Sequence, residues 1–236
     1  MSTTTATDQT QVKVKPTVTE YIPQMNPTHR LFARGPSNKY GDFRDDLIRD
    51  GFAVIKGAIP RERADNHANQ LYKFLEDLCV SPINNDRICR ADFVYSGLGF
   101  DRNKPETVNE QHLPIINEKG MCAGYGLPHE TFAWNIRAEP GVVGAFEKVY
   151  ETEDLIVSFD AMNMSFPGRK DLKENKPWPH QDQDRTRPGF RCLQGLVNLL
   201  PNGPDDGGLI VCKGGHLVSE EFHEAFENEP DRIWAW

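Results

Sequence analysis

The tripeptide His180-Gln181-Asp182 sets an imidazole and a carboxylate two positions apart. On an extended strand, residues i and i+2 project from the same side. His180 and Asp182 would then converge on one point, with Gln181 facing away. Imidazole nitrogen and carboxylate oxygen together suit a first-row divalent metal. In the non-haem Fe(II) arrangement, two His and one carboxylate take one face of the ion and leave the other positions open for a cosubstrate and O2. The tripeptide alone carries little weight. With seven His in the chain, chance supplies about half of one His-X-Asp at this composition. A surface His and Asp in a polar turn is the plainer reading of these three residues by themselves, so their surroundings have to decide.

The pair needs a strand to hold it, and the neighbouring segments have strand character. Lys176-Pro-Trp-Pro-His180 carries two prolines that lack an amide donor, which predicts a strand start or a sheet edge. Arg191 to Leu200 reads as a strand, Asn202 to Gly208 is dense in turn residues, and Leu209 to Cys212 reads as the returning strand. Leu155-Ile-Val-Ser-Phe159 is a further strand, and Asp160 to Phe166 extends it or turns into its partner. Gln194 opens the strand after the metal motif. Its amide suits a carboxylate oxygen in the same cavity, the alternative being a solvent-facing strand position.

The first half of the sequence has a different texture. Residues 1–38 are polar, with Pro16, Pro23, Pro27 and Pro36 spread through them, and read as a flexible arm. Residues 39–236 form the folded part. Asp42 to Asp50 predicts a short helix ended by Gly51, and Phe52 to Ile55 a short strand. After Pro60, the apolar spacing Ala64, Ala68, Leu71, Leu75, Leu78 marks the buried face of a longer helix, with His67 on the helix surface. Residues 81–127 lack periodicity, as functional loops and lids often do. Pro128 to Arg137 and Gly141 to Tyr150 predict two helices separated by Ala138-Glu139-Pro140. Ser219 is placed to cap a last short helix. Helices first, then short strands joined by Gly-rich turns, predict an α+β fold with an antiparallel sheet.

Composition narrows the function. A net charge of −8 argues against nucleic acid or an anionic membrane as the main partner, since phosphates attract basic surfaces. No apolar run reaches the length of a membrane span, and residues 1–18 do not read as a secretory signal. Five cysteines without a CxxC pair suggest reduced thiols in an intracellular, cytoplasmic protein. Nothing in the sequence reveals the oligomeric state.

Several motifs together resemble the phytanoyl-CoA dioxygenase family, most closely its fungal members of undefined substrate. They are Leu155-Ile-Val-Ser-Phe-Asp-Ala-Met-Asn163, Lys176-Pro-Trp-Pro-His-Gln-Asp182, Gln194-Gly-Leu-Val-Asn-Leu-Leu-Pro-Asn202 and Gly207-Gly-Leu-Ile-Val-Cys-Lys-Gly-Gly-His216. Upstream, Asp50-Gly-Phe-Ala-Val-Ile-Lys-Gly57 and the helix after it resemble the family's opening strand and helix. The likeness covers roughly residues 40 to 225 and is strongest from Leu155 onward. The resemblance implies a double-stranded β-helix (a cupin-like jelly roll) with helices packed on it. It implies Fe(II) held by His180, Asp182 and a distal His, with 2-oxoglutarate on the metal and its far carboxylate gripped by an Arg fork. Met162 or Asn163 is implied to contact 2-oxoglutarate, with ordinary core packing as the other reading of Met162. The implied activity is that of a dioxygenase, an oxidoreductase that uses O2 to oxidise a small organic substrate and releases succinate and CO2.

The resemblance also has gaps. The family's distal His lies on a late strand after a Gly-Asp segment, and no such segment occurs here. Two clear strands after Asp182 are too few to close a jelly roll, so the sequence reads as an incomplete core with the distal strands missing. His216 falls in a turn where the family has a non-ligand His, and His223 reads as a solvent-facing helix residue. Arg185, Arg187 and Arg191 read either as a solvated loop or as aids to an anionic substrate, and Trp178 either walls the site or packs the strand start. Two other readings stay open: a cupin-like binding protein without catalysis, and a non-functional fragment. A zinc hydrolase would need further ligands at suitable spacing, and none is found.

Overall fold

In a computed structural model of the protein, the residues described are 39–80, 96–167, 169, 171–172, 179–182, 193–204 and 206–226. The arm expected over residues 1–38, Trp178, Arg185, Arg187 and Arg191 lie outside them.

The chain is ordered into a helix soon after Tyr40. Helix α1, Phe43–Asp50, starts where the Asp42 side chain accepts from the Arg44 amide at 3.0 Å, the usual way an Asp satisfies an orphan helix donor. It ends at Gly51, whose φ of +81° lets its amide turn back to the Leu47 carbonyl. A left-handed conformation of this kind favours glycine. Residues 52–55, expected as a strand, form none. Val54 is 73% exposed, and the segment runs into a turn at 56–59.

Helix α2, Arg61–Glu76, carries the predicted apolar face into the core: Ala68, Phe74 and Leu75 are buried, and Leu78 follows just beyond the helix. His67 departs from its sequence reading. It is 5% exposed, and its Nε2 lies 2.8 Å from Glu139 Oε1. Arg63, one turn earlier on the same face, donates to the same carboxylate at 3.0 Å. A buried carboxylate needs partners of this kind, and the sequence pattern of α2 does not reveal one located more than seventy positions away.

Two antiparallel ladders of two residues each supply the regular strands among the described residues. Strand β1, Cys79–Val80, pairs with β2, Ser96–Gly97. Strand β3, Met121–Cys122, pairs with β4, Met162–Asn163, in the register Met121↔Asn163 and Cys122↔Met162. The described part of the irregular stretch, 96–127, is more firmly held than its composition suggests, because Phe100, Leu113, Cys122 and Leu127 are buried in the main core with Phe132, Ile136 and Met164. Helix α3, Thr131–Arg137, starts three residues later than predicted, after a 3-10 turn at Leu127–His129, and helix α4, Pro140–Tyr150, takes Pro140 as its first residue rather than as part of the separator. A Cβ on Gly141 would sit inside van der Waals contact of the Ala58 carbonyl oxygen, so α4 docks against the turn before α2 through a bare backbone. Leu47 and Val149 centre a smaller cluster between α1 and α4.

Beyond α4 the expected strands take another form. Residues 154–161, 193–199 and 207–212 have no regular ladder. Leu193 and Leu199 pack on the helical clusters and Gly195 lies on Phe146, while Leu196, Val197 and Leu200 are exposed. Hence 193–200 lies along the helices without a strand partner among the described residues. The 202–208 turn closes as predicted, with Gly203 N–H donating to Asp206 Oδ2 at 2.7 Å and Asn202 Nδ2 to the Gly207 carbonyl at 2.6 Å. The turn at 213–216 then returns to α1: Gly214 N–H reaches the Asp50 carbonyl at 2.8 Å and Lys213 Nζ lies 3.2 Å from Asp50 Oδ2. Helix α5, Ser219–Ala225, completes the described residues. Val218, not Ser219, occupies its N-cap.

Candidate functional site

The His180–Asp182 segment forms no regular strand and bends at Asp182, yet its side chains divide as the i, i+2 spacing predicts. His180 Nε2 stands 3.3 Å from Asp182 Oδ1. Between them, Gln181 turns to a different neighbour: its Oε1 accepts from Ser219 Oγ at 3.0 Å and lies 3.0 Å from His223 Nε2. Thus α5 holds the middle residue while the two outer ones face each other. Ser219 has left its predicted capping duty for this contact, and His223 is a half-buried partner of Gln181, not a solvent-facing residue. Neither contact has a signal in the sequence, since both depend on where α5 docks.

Gln194 joins the pair. Its Nε2 donates to Asp182 Oδ2 at 3.2 Å. One carboxylate oxygen therefore faces His180 and the other is steadied by an amide. An outer-sphere hydrogen bond to a ligating carboxylate is a common way to fix its orientation. The three residues singled out around the metal motif thus lie together, all at the surface.

The fit of a metal ion can be tested on these atoms. Two ligands at about 2.1 Å from one ion and at a right angle stand about 3.0 Å apart. The observed 3.3 Å is close to that spacing, and the donor types suit Fe(II). Among the described residues, no group of three or more His, Cys, Asp or Glu could hold a metal. His216 in particular is committed elsewhere, with its Nε2 2.9 Å from the Ile48 carbonyl at the end of α1.

Met162 and Asn163 lie on β4. Met162 is half-buried and packs against the main core. Asn163 donates through Nδ2 to the Lys119 carbonyl at 2.9 Å and accepts from Ser165 Oγ at 2.9 Å, so it braces the turn that leads into β3. Of the two readings open for Met162 in the sequence, core packing describes its contacts. Cys122 is buried and its thiol is pushed up by burial, whereas Cys212 is exposed; both are free.

Comparison with known proteins gives one informative relative. The chain is 38% identical over 187 residues to Ava biosynthesis cluster protein O of Aspergillus versicolor, a match that takes in 79% of this chain and 54% of that protein. The chain thus spans about half the length of the curated relative it matches. No protein-family model matches the chain, and no solved structure does. Among the described residues, no helix is long and apolar enough to cross a membrane.

Proposed function

We propose that this chain carries the His-X-Asp arm of a non-haem Fe(II)- and 2-oxoglutarate-dependent oxygenase that oxidises a small organic molecule in a biosynthetic route. The observation that carries the reading is the pairing of His180 Nε2 and Asp182 Oδ1 at 3.3 Å, with Gln181 anchored on another neighbour. The motifs around this pair, which resemble those of phytanoyl-CoA dioxygenases, support the reaction class. The name of the Aspergillus versicolor relative supports a biosynthetic role.

On this reading His180 and Asp182 hold the ion, and Gln194 fixes the Asp182 carboxylate so that one oxygen is presented to it. The Gln181–Ser219–His223 contacts keep the ligand segment from rotating, which matters because a metal site loosened by an ångström loses most of its affinity. Iron bound there with 2-oxoglutarate would use O2 to supply an oxidant able to remove a substrate hydrogen atom, one oxygen atom ending in succinate as CO2 is released. The distal His and the carboxylate-holding Arg that the resemblance also calls for have no matching positions in this sequence. About half of the relative's length lies outside the match.

The test is an anaerobic titration with Co(II) as a coloured stand-in for Fe(II), followed by a succinate assay with Fe(II) and 2-oxoglutarate. Wild type is expected to develop visible ligand-field bands, and Asp182→Ala and His180→Ala to weaken binding by more than about a hundredfold. Absence of binding by wild type, or equal binding by the variants, would overturn the metal reading and favour a cupin-like binding protein.

A further inference from the structure

An open depression of about 500 Å³ lies beside β3, between the 117–129 segment and the 159–161 segment. Its volume is within the range of roughly 300–1,000 Å³ typical of small-molecule sites. None of its lining residues belongs to the metal pair, so the inference does not rest on the iron reading.

Two aromatic rings form one wall. The His129 and Phe159 rings lie 4.7 Å apart at 47°, and Trp134 meets Phe159 edge-on at 5.4 Å. Phe159 is 61% exposed, which leaves ring face open to the depression. The wall is braced from outside: Arg137 donates to the Pro128 carbonyl at 2.7 Å and to the Asp160 carbonyl at 3.4 Å. These bonds tie the turn carrying His129 to the segment carrying Phe159. On the opposite side, Met121 is fixed by its pairing with Asn163.

The polar groups in the lining select a charge. Asp160 Oδ1 accepts from the Ala161 amide at 2.7 Å. Its carboxylate has no ion pair among the described residues; the nearby Arg137 donates to the Pro128 and Asp160 carbonyl oxygens and not to this carboxylate. Asn117 Oδ1 accepts from the Lys119 and Met121 amides, both at 2.9 Å, so this oxygen is occupied by the turn. A carboxylate beside an open aromatic face attracts an ammonium group, and the rings attract a flat apolar body. An acid is repelled by the same carboxylate.

We propose that this depression binds a small, flat aromatic amine, with the ring against Phe159 and His129 and the ammonium at Asp160. The test uses chelator-treated, metal-free protein and phenethylamine as the probe, followed by calorimetry and by the fluorescence of Trp134. Hydrocinnamate (same ring, acid in place of amine) and ethylamine (same charge, no ring) are the counter-probes. Saturable binding of phenethylamine, at least about fivefold tighter than either counter-probe, is the expected result. Asp160→Asn should remove the preference over hydrocinnamate, and Phe159→Leu the preference over ethylamine. Both positions are exposed, and unchanged melting curves show that the variants fold. Trp134→Phe should abolish the optical signal and leave the calorimetric one. No saturable binding, equal binding of the three probes, or indifference to both substitutions would overturn the proposal. None of these outcomes bears on Co(II) binding at His180 and Asp182.

Discussion

At the scale of single residues, the candidate metal pair and the Glu139 cluster place a carboxylate in opposite surroundings, one exposed and one buried. Asp182 is exposed and already steadied by Gln194. Gln194→Ala should leave both ligands in place yet weaken Co(II) binding by roughly tenfold, the usual effect of losing an outer-sphere partner; equal affinity would show that the amide is idle. Glu139 is buried, and the Arg63 guanidinium followed by the His67 ring hold its carboxyl below the usual glutamate range. A lowered folded-state value means that ionised Glu139 adds stability fully above the ordinary value of about 4.3, and that this contribution fades as pH falls through the lowered value. Glu139→Gln should therefore melt earlier than wild type at neutral pH, with the gap closing in acid; thermal melts at the two ends check the sign. The approach of His180 to Asp182 was legible from their i, i+2 spacing. The Glu139 cluster was not, because a helix pattern shows which face is buried but not what a distant loop brings to it.

At the scale of elements, boundaries followed local chemistry. Asp42 and Gly51 bound α1, and Pro140 opens α4, as the cap and ring geometry of those residues require. The strands were misjudged where local preference stood alone. Phe52 to Ile55 and Leu155 to Phe159 have the right residue types, but a strand exists only through its partner, and these segments have no ladder. Gly51 combines both lessons. Its φ of +81° disfavours any other residue, and a Cβ there would lie 2.5 Å from His216 Nδ1. Gly51→Ala should cost about 1–2 kcal/mol for the left-handed backbone alone, plus the clash with His216. In Gly51→Ala/His216→Ala the clash vanishes and the backbone cost stays, so a denaturant-based double-mutant cycle should give less than additive loss. Strict additivity would mean that the 213–216 turn does not rest on α1 in solution.

At the scale of the whole molecule, the helical half is well covered and the strand-like half is not. Ile156, Leu209 and Ile210 are 101%, 70% and 82% exposed, and Leu196 and Leu217 are also largely open. Apolar segments without a ladder are templates for further pairing. The chain is accordingly expected to bind a hydrophobic dye strongly and to self-associate as concentration rises. Leu209→Lys with Ile210→Lys should reduce both effects in dye titration and sedimentation velocity without lowering the melting temperature of the helical half. A monomer that binds no dye would show that these segments are covered in solution. The helices were readable because helical periodicity is local. The arrangement of the last strands was not, since it depends on long-range neighbours that no window of sequence contains.

The seam between α1 and the 213–216 turn also bears on synthesis. The Asp50 carbonyl waits for the Gly214 amide and the Ile48 carbonyl for His216, residues that leave the ribosome more than 160 positions later. At about 5–20 residues per second, translation takes on the order of ten seconds to deliver them. Throughout that interval the C-terminal turn of α1 must stay hydrated or be sheltered by a chaperone. Its docking cannot precede the synthesis of that turn, and slowing translation would lengthen the exposure without altering the product.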